Sequence, residues 1–174
     1  MTRASSILIR LACENDATRL VGIEASAGAL FRTLPDLAWI ADEPLAEASS
    51  FLPLIAAGTV WVAEDTDSCE IGELRGEIFG AVLHIHELAV ASDFQRRGLG
   101  RRLLEVAAGE ARARGLSAIT LTTFRHVAWN APFYARCGYH ELSDEELDAR
   151  LRETLAAETA RRLPNRCAMR LALT

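Results

Sequence analysis

The sequence predicts a single α/β domain with a mixed β-sheet flanked by helices. Three observations carry this prediction. Short β-branched or aromatic runs, residues 59–63 (TVWVA) and 117–122 (SAITLT), read as strands. Leu99, Leu103, Val106, Ala107 and Ala111 recur at helical spacing. A strand, a glycine-bearing turn and a helix follow one another in mid-chain. The 174 residues suit one domain spanning 1–174, and a chain of that size buries roughly 70% of its unfolded surface.

Taken in order, residues 7–11 alternate weakly and read as a first strand. Asn15 or Asp16 caps a helix running through Phe31, with Leu20, Ile23, Ala27 and Leu30 near one face. Residues 45–57 are a second helical region, interrupted by Pro53. After the strand at 59–63, residues 65–68 are turn-like, and strands follow at 69–72, 75–83 and 84–90. A helix covers 98–114, and Gly115 stops it. After the strand at 117–122, Asn130 caps a short helix with Pro132 in its first turn and Gly138 at its end. A charged helix over 144–163, with a solvated face along 144–153, and a strand over 167–173 complete the chain.

Composition narrows the function. Half the residues are hydrophobic and a quarter charged, so global disorder is excluded. The net charge of −5 disfavours nucleic acid as the main partner. No apolar run is long enough to span a bilayer, so no membrane partner is expected. Residues 1–10 lack an apolar core and a cleavage site, which points to the cytoplasm. Cys13, Cys69, Cys137 and Cys167 are widely spaced and read as mostly buried free thiols.

The informative segment is Gln95-Arg96-Arg97-Gly98-Leu99-Gly100, between a strand and a helix. A helix N-terminus offers unsatisfied N–H groups and partial positive charge, and glycines let a pyrophosphate approach. Arg96, Arg97, Arg101 and Arg102 add charge. The segment is neither a Walker A loop nor a GxGxxG fingerprint. Taken alone, it is also what a conformational turn would look like.

Its context is more specific. The turn is similar to the Q/R-x-x-G-x-G/A signature of the GCN5-related N-acetyltransferase (GNAT) superfamily. It follows Leu88-Ala89-Val90, which matches an L-x-V strand segment, and precedes Asn130-Ala131-Pro132-Phe133-Tyr134, with Gly138-Tyr139 beyond, which resembles the family's N-x-x-x-x-Y…G-[FY] segment. The residues 122–134 also resemble many bacterial members. The resemblance implies a sheet splayed between its fourth and fifth strands, with acetyl-CoA in the cleft and no metal. It implies that the Leu88, Ala89 and Val90 backbone pairs with the pantetheine arm. Gln95, Arg96, Arg97, Gly98, Leu99, Gly100 and Arg101 would hold the pyrophosphate, and Asn130 would reach the cofactor.

The reaction the family implies is direct acetyl transfer from thioester to amine in a ternary complex. A lysine-like amine has a pKa near 10.4, and neutralising it at pH 7 costs about 4–5 kcal/mol. A base and an acid are therefore expected. The resemblance makes Tyr134 the acid; read alone, it is also an ordinary core tyrosine. His84 and His86 lie two apart on a strand and so face one side. The string 84–90 resembles the His-x-His strand of the arylalkylamine N-acetyltransferases, where such a pair relays the amine proton. Without the resemblance, the two are equally polar residues lining a wet cleft. A metal site would need a third ligand that the sequence does not supply.

Glu87 is the second candidate base. It faces away from the histidines on a regular strand and towards them if the strand bulges. His126 and His140 read as loop and surface residues, and Arg125 as a local salt-bridge partner. Glu24, Phe31, Trp39 and Trp61 could offer a carboxylate and aromatic surface to a cationic substrate. The function expected is N-acetylation of a small primary amine. A non-catalytic CoA-binding domain and a protein lysine or N-terminal acetyltransferase are the alternatives. A homodimer is common in the family.

Overall fold

Residues 7–65 and 69–174 are described by a computed structural model. The strands are β1 (Leu8–Leu11), β2 (Val60–Glu64), β3 (Glu70–Phe79), β4 (Val82–Val90), β5 (Ala118–Phe124), β6 (His140–Glu141) and β7 (Arg166–Ala172). The α-helices are α1 (Ala17–Gly28), α2 (Leu52–Ala56), α3 (Leu99–Ala113), α4 (Ala131–Arg136) and α5 (Ala149–Ala160). The seven strands form one sheet in the order β1-β2-β3-β4-β5-β7-β6. The mixed character expected from the sequence is observed: β4 and β5 pair in parallel, while β1–β2, β2–β3, β5–β7 and β6–β7 are antiparallel. A parallel pair requires a crossover, and α3 supplies it in the chain.

The β4–β5 register runs from Val82↔Ala118 to Ile85↔Leu121. β4 continues beyond it to Val90 and β5 to Phe124. All seven residues of β5 keep antiparallel partners on β7.

The chain packs as two compact units, Met1–Gly76 with Glu87–Ala107, and Glu77–His86 with Ala108–Thr174. In the first, Leu20 and Ile23 of α1, Phe51, Ile55 of α2, Val60 and Val62 of β2 and Ala89 of β4 form the apolar core. In the second, Leu142, Leu147 and Leu151 close over Ala168 of β7. Arg166 binds Glu158 through Nη2 at 2.8 Å and lies 4.5 Å over the Phe124 ring.

Several elements differ from the sequence-based expectation. The strands expected at 69–72 and 75–83 are one strand, β3, up to a turn at Gly80, whose φ is +59°. Gly72 lies inside β3 and does not end a strand. A Cβ there would stand 3.3 Å from Leu99 Cδ2 and 3.4 Å from Leu103 Cδ1, so glycine lets α3 approach β3. Of the turn expected at 65–68, residues 66–68 lie outside the described residues.

The first helix stops at Gly28 and continues as a 3₁₀ segment, Ala29–Thr33, with a second 3₁₀ segment at Pro35–Asp42. Pro53 does not interrupt a helix. It sits in the first turn of α2, where its missing N–H is not needed, after a 3₁₀ turn at Ala48–Phe51. The last helix starts at Ala149 rather than 144, because Asp148 accepts the Leu151 N–H at 2.7 Å and caps it. Residues 144–146 are a turn, tied by Glu146 to the Ser143 N–H at 2.8 Å. The two-residue β6 is too short to show periodicity. None of the four cysteines forms a disulfide among the described residues, but only Cys167 is buried; Cys13 and Cys69 are exposed. Among the described residues, no helix is long and apolar enough to cross a membrane.

Candidate functional site

In the first unit, β4 leads into the arginine-rich turn. A 3₁₀ turn at Ser92–Phe94 precedes Gln95, whose Nε2 donates to the Val90 carbonyl at 3.0 Å. Arg96 and Gly98 then take left-handed φ values of 59° and 79° before α3 begins at Leu99. A non-glycine residue held left-handed costs about 1 kcal/mol or more, so the surrounding structure over-determines this loop. Such αL kinks let successive N–H groups form an anion-binding concavity. Leu99, 2% exposed, anchors the start of α3.

The basic side chains here are exposed. Arg97 lies 5.2 Å over Phe94, and Arg101 pairs with Glu105 at 3.0 Å. Arg102 donates to the Ile7 carbonyl at 3.0 Å. On β4, Ala89 is buried and Leu88 and Val90 are half-buried.

The same unit holds an ionic cluster that the sequence analysis missed except for Glu24 and Glu87. Arg75 of β3, 8% exposed, ion-pairs through Nη2 with Glu24 of α1. Its Nη1 reaches Glu73 at 3.3 Å, and its guanidinium lies 4.0 Å over Phe51. Glu73 has no exposed surface, and burial pushes its carboxyl up to about 9, against the pull of Arg75 and with help from the charges of Glu87 and Glu24. The alternation of Glu73, Leu74 and Arg75 signals two charges on one face of a strand. That signal was lost because the segment was read as a break between strands.

In the second unit, His84 and His86 of β4 do face one side, with ring centroids 5.2 Å apart. Their environments differ. His84 is 3% exposed, and its Nδ1 is 3.0 Å from Thr120 Oγ1 on β5. Burial, then the charges of Arg150 and His86, depress its pKa to about 3. Folding therefore disfavours the charged form of His84. His86 is exposed, with Nε2 3.0 Å from Glu77 of β3.

The His84 shift has a consequence for stability. Between pH 6.5 and about 3 the unfolded chain binds a proton there that the folded chain resists, so stability falls as pH falls through this window. The melting temperature should drop less in His84→Asn than in the parent between pH 7.5 and 5.5. Equal drops would mean that His84 ionises freely in the folded chain.

α4 positions the tyrosine. Tyr134 is 8% exposed, with its ring edge-on to Phe133 at 5.2 Å and to Tyr139 at 5.7 Å. Asn130 stands at the N-cap position, but its side chain makes no capping bond, contrary to expectation. Its carbonyl accepts the Tyr134 N–H at 3.1 Å, while its side-chain Oδ1 is buried with no donor. Burial also raises the Tyr139 phenol above its ordinary value.

Of the remaining candidates, Phe31 is half-buried and Trp39 is 39% exposed. Trp61 is a correction: at 2% exposure on β2 it belongs to the core and offers no surface to a substrate. Arg125 pairs with Glu141 at 2.8 Å, and His126 and His140 are exposed.

Comparison with known proteins agrees with this architecture. The family described as acetyltransferase (GNAT) domain matches residues 56–141. N-acetylglutamate synthase from Neisseria gonorrhoeae, solved with coenzyme A and N-acetyl-glutamate, is similar with a TM-score of 0.72 at 20% identity. The match covers 99% of this chain but only 36% of that one, so the chain spans about a third of that enzyme's length. PaiA N-acetyltransferase from Thermoplasma acidophilum, solved with coenzyme A, gives 0.71 at 16% identity, covering 96% of this chain and 99% of that one. A ribosomal-protein-alanine N-acetyltransferase from Escherichia coli gives 0.69 at 16%, covering 97% and 95%. The family match runs from the end of α2 to β6, just under half of the chain, and the fold is shared with these N-acetyltransferases along nearly the whole chain.

Proposed function

We propose that this acyltransferase uses acetyl-CoA to acetylate a primary amine of a small molecule, by direct transfer. The observation that carries the reading is the Gln95–Gly100 turn, with Arg96 and Gly98 both left-handed at the start of α3. It lies within the family-matched residues. Two of the similar structures cited above were solved with coenzyme A. The buried, donor-free Asn130 Oδ1 also fits a polar ligand group.

Acetyl-CoA supplies the acetyl group as an activated thioester. The backbone of Arg96–Gly100 and the Arg101 guanidinium hold its pyrophosphate. The Leu88–Val90 backbone holds the pantetheine arm in the manner of an added strand. Tyr134 Oη gives its proton to the departing sulfur. His86 accepts the amine proton, and Glu77 at 3.0 Å stabilises the imidazolium that results. His84, kept neutral by burial, bonds Thr120 and packs beside His86, which positions the second ring without competing for the proton. Glu87 is the alternative acceptor.

Calorimetry tests the first step. Acetyl-CoA binds at about one equivalent, and ATP and NAD do not compete at similar concentration. Well-folded protein that takes up no acetyl-CoA would overturn the proposal.

A further inference from the structure

In the first unit the sheet ends in an open edge, β1. This strand pairs with β2 from Leu8↔Glu64 to Leu11↔Trp61 and stands first in the strand order. Among the described residues, no strand lies on its other side. Just beyond β1, the Ala12 N–H donates to the Val60 carbonyl at 2.9 Å. Bonded pairs alternate along an antiparallel ladder, so Leu8 and Arg10 bond β2, while the N–H and C=O groups of Ile7, Ile9 and Leu11 point outward. Two of the outward carbonyls are held. Arg102 Nη2 donates to that of Ile7 and Arg10 Nη1 to that of Leu11, each at 3.0 Å. The middle of the edge, Ile9, is open to another strand. The edge is also apolar: Leu8 is 58% exposed and Leu11 44%. An open groove of about 450 Å³ lies between it and α3, lined by Ile7, Leu8, Ile9, Arg102, Glu105 and Val106. Lysine and proline, which commonly protect an edge, are missing from residues 7–11. The one charged side chain of β1, Arg10, is turned back to Asp16 at 2.7 Å and to Glu64.

We infer that this edge receives β1 of a second copy of the chain, antiparallel, about a two-fold axis at Ile9. A two-fold sets one patch against itself, so the patch must be complementary to its own image. This edge meets that condition. Ile9 opposite Ile9 exchanges both hydrogen bonds that the middle of the edge offers. Ile7 falls opposite Leu11, so the face that carries Ile7, Ile9 and Leu11 meets only apolar side chains. Leu8 falls opposite Arg10, whose aliphatic stem covers part of it. Moving the axis to Arg10 would set two arginines directly opposite, which is repulsive. The two charged residues of the groove, Arg102 and Glu105, are opposite in sign, so a second copy brings a complement to each.

The test uses the full chain and needs no acetyl-CoA. Analytical sedimentation shows a monomer–dimer equilibrium at submillimolar concentration. Leu8→Lys, at an exposed position, sets a second cation opposite Arg10 and raises the dimer dissociation constant about tenfold or more. Leu8→Glu, opposite the same arginine, does not raise it. Melting curves check the fold of both variants. Oxidation then reads the register in a Cys13→Ser, Cys69→Ser background. Ile9→Cys cross-links into a disulfide dimer, because directly opposite residues stand about 5.5 Å apart between Cα atoms. Leu8→Cys does not, because its two copies lie two positions apart along the pair, roughly 8 Å and beyond disulfide reach. The background without either change stays uncross-linked. A chain that remains monomeric would overturn the inference and leave the edge to a strand of another protein. So would a dimer that Leu8→Lys leaves intact, an Ile9→Cys variant that fails to cross-link, or equal cross-linking at the two positions.

Discussion

Tyr134→Phe lowers kcat by roughly 100-fold or more, within the range of a lost general acid, while acetyl-CoA affinity changes by less than about threefold. The substitution is selective because the ring does the packing and the hydroxyl does the chemistry. Phenylalanine keeps the edge contacts with Phe133 at 5.2 Å and Tyr139 at 5.7 Å. It also keeps the Tyr134 N–H bond to the Asn130 carbonyl that ties the first turn of α4. What it removes is Oη, the group assigned to protonate the leaving sulfur. Steady-state kinetics with calorimetric binding separate the two effects. A loss of kcat with unchanged affinity identifies an interaction made only in the transition state. An unchanged kcat would remove Tyr134 from the chemistry and leave it as a core residue of the second unit.

Leu103→Ala destabilises the fold by about 2–5 kcal/mol, the range for emptying a fully buried leucine site. Leu103 is 0% exposed in α3, and its Cδ1 lies 3.4 Å from where a Gly72 side chain would begin. Removing the isobutyl group leaves a cavity where α3 packs on β3 at Gly72, and neither element can collapse without moving the other. For a chain of this size the loss corresponds to about 5–15 °C in melting temperature, read by calorimetric or optical melting. A shift under about 3 °C would show that the α3–β3 contact is loose. α3 also begins at the Gln95–Gly100 turn, so the variant should bind acetyl-CoA more weakly near its own melting point. At low temperature its affinity should be close to normal.

The comparison of sequence with structure divides along a physical line. Local signals were readable. The 3.6-residue spacing of Leu99, Leu103, Ala107 and Ala111 placed α3 within one residue at each end, because an amphipathic stripe repeats many times in a long helix. The β-branched run at 117–122 marked β5, observed at Ala118–Phe124. The turn at 95–100, with Leu88–Val90 before it and the 130–139 string after it, pointed to the fold that the comparisons share, since three short motifs in fixed order leave few other readings.

Short or mixed elements were not readable. β6 has two residues and the 3₁₀ segments before α2 have no repeating stripe. Gly72 reads as the end of a strand because its reason, the approach of Leu99 and Leu103, lies far along the chain. Sequence by itself therefore pointed to the fold and the order of most elements, and it named the residues proposed for acid–base chemistry. Only tertiary structure decided the states of those residues. His84 and His86 are the same side chain two positions apart, yet burial against Thr120 and Arg150 disfavours the charge on one, while the other stands exposed beside Glu77. Glu73 falls in the gap between two expected strands and Arg75 at the start of the second, and burial makes one a retained acid and the other its partner. Composition and spacing are properties of neighbours along the chain, whereas desolvation depends on what folds over a group.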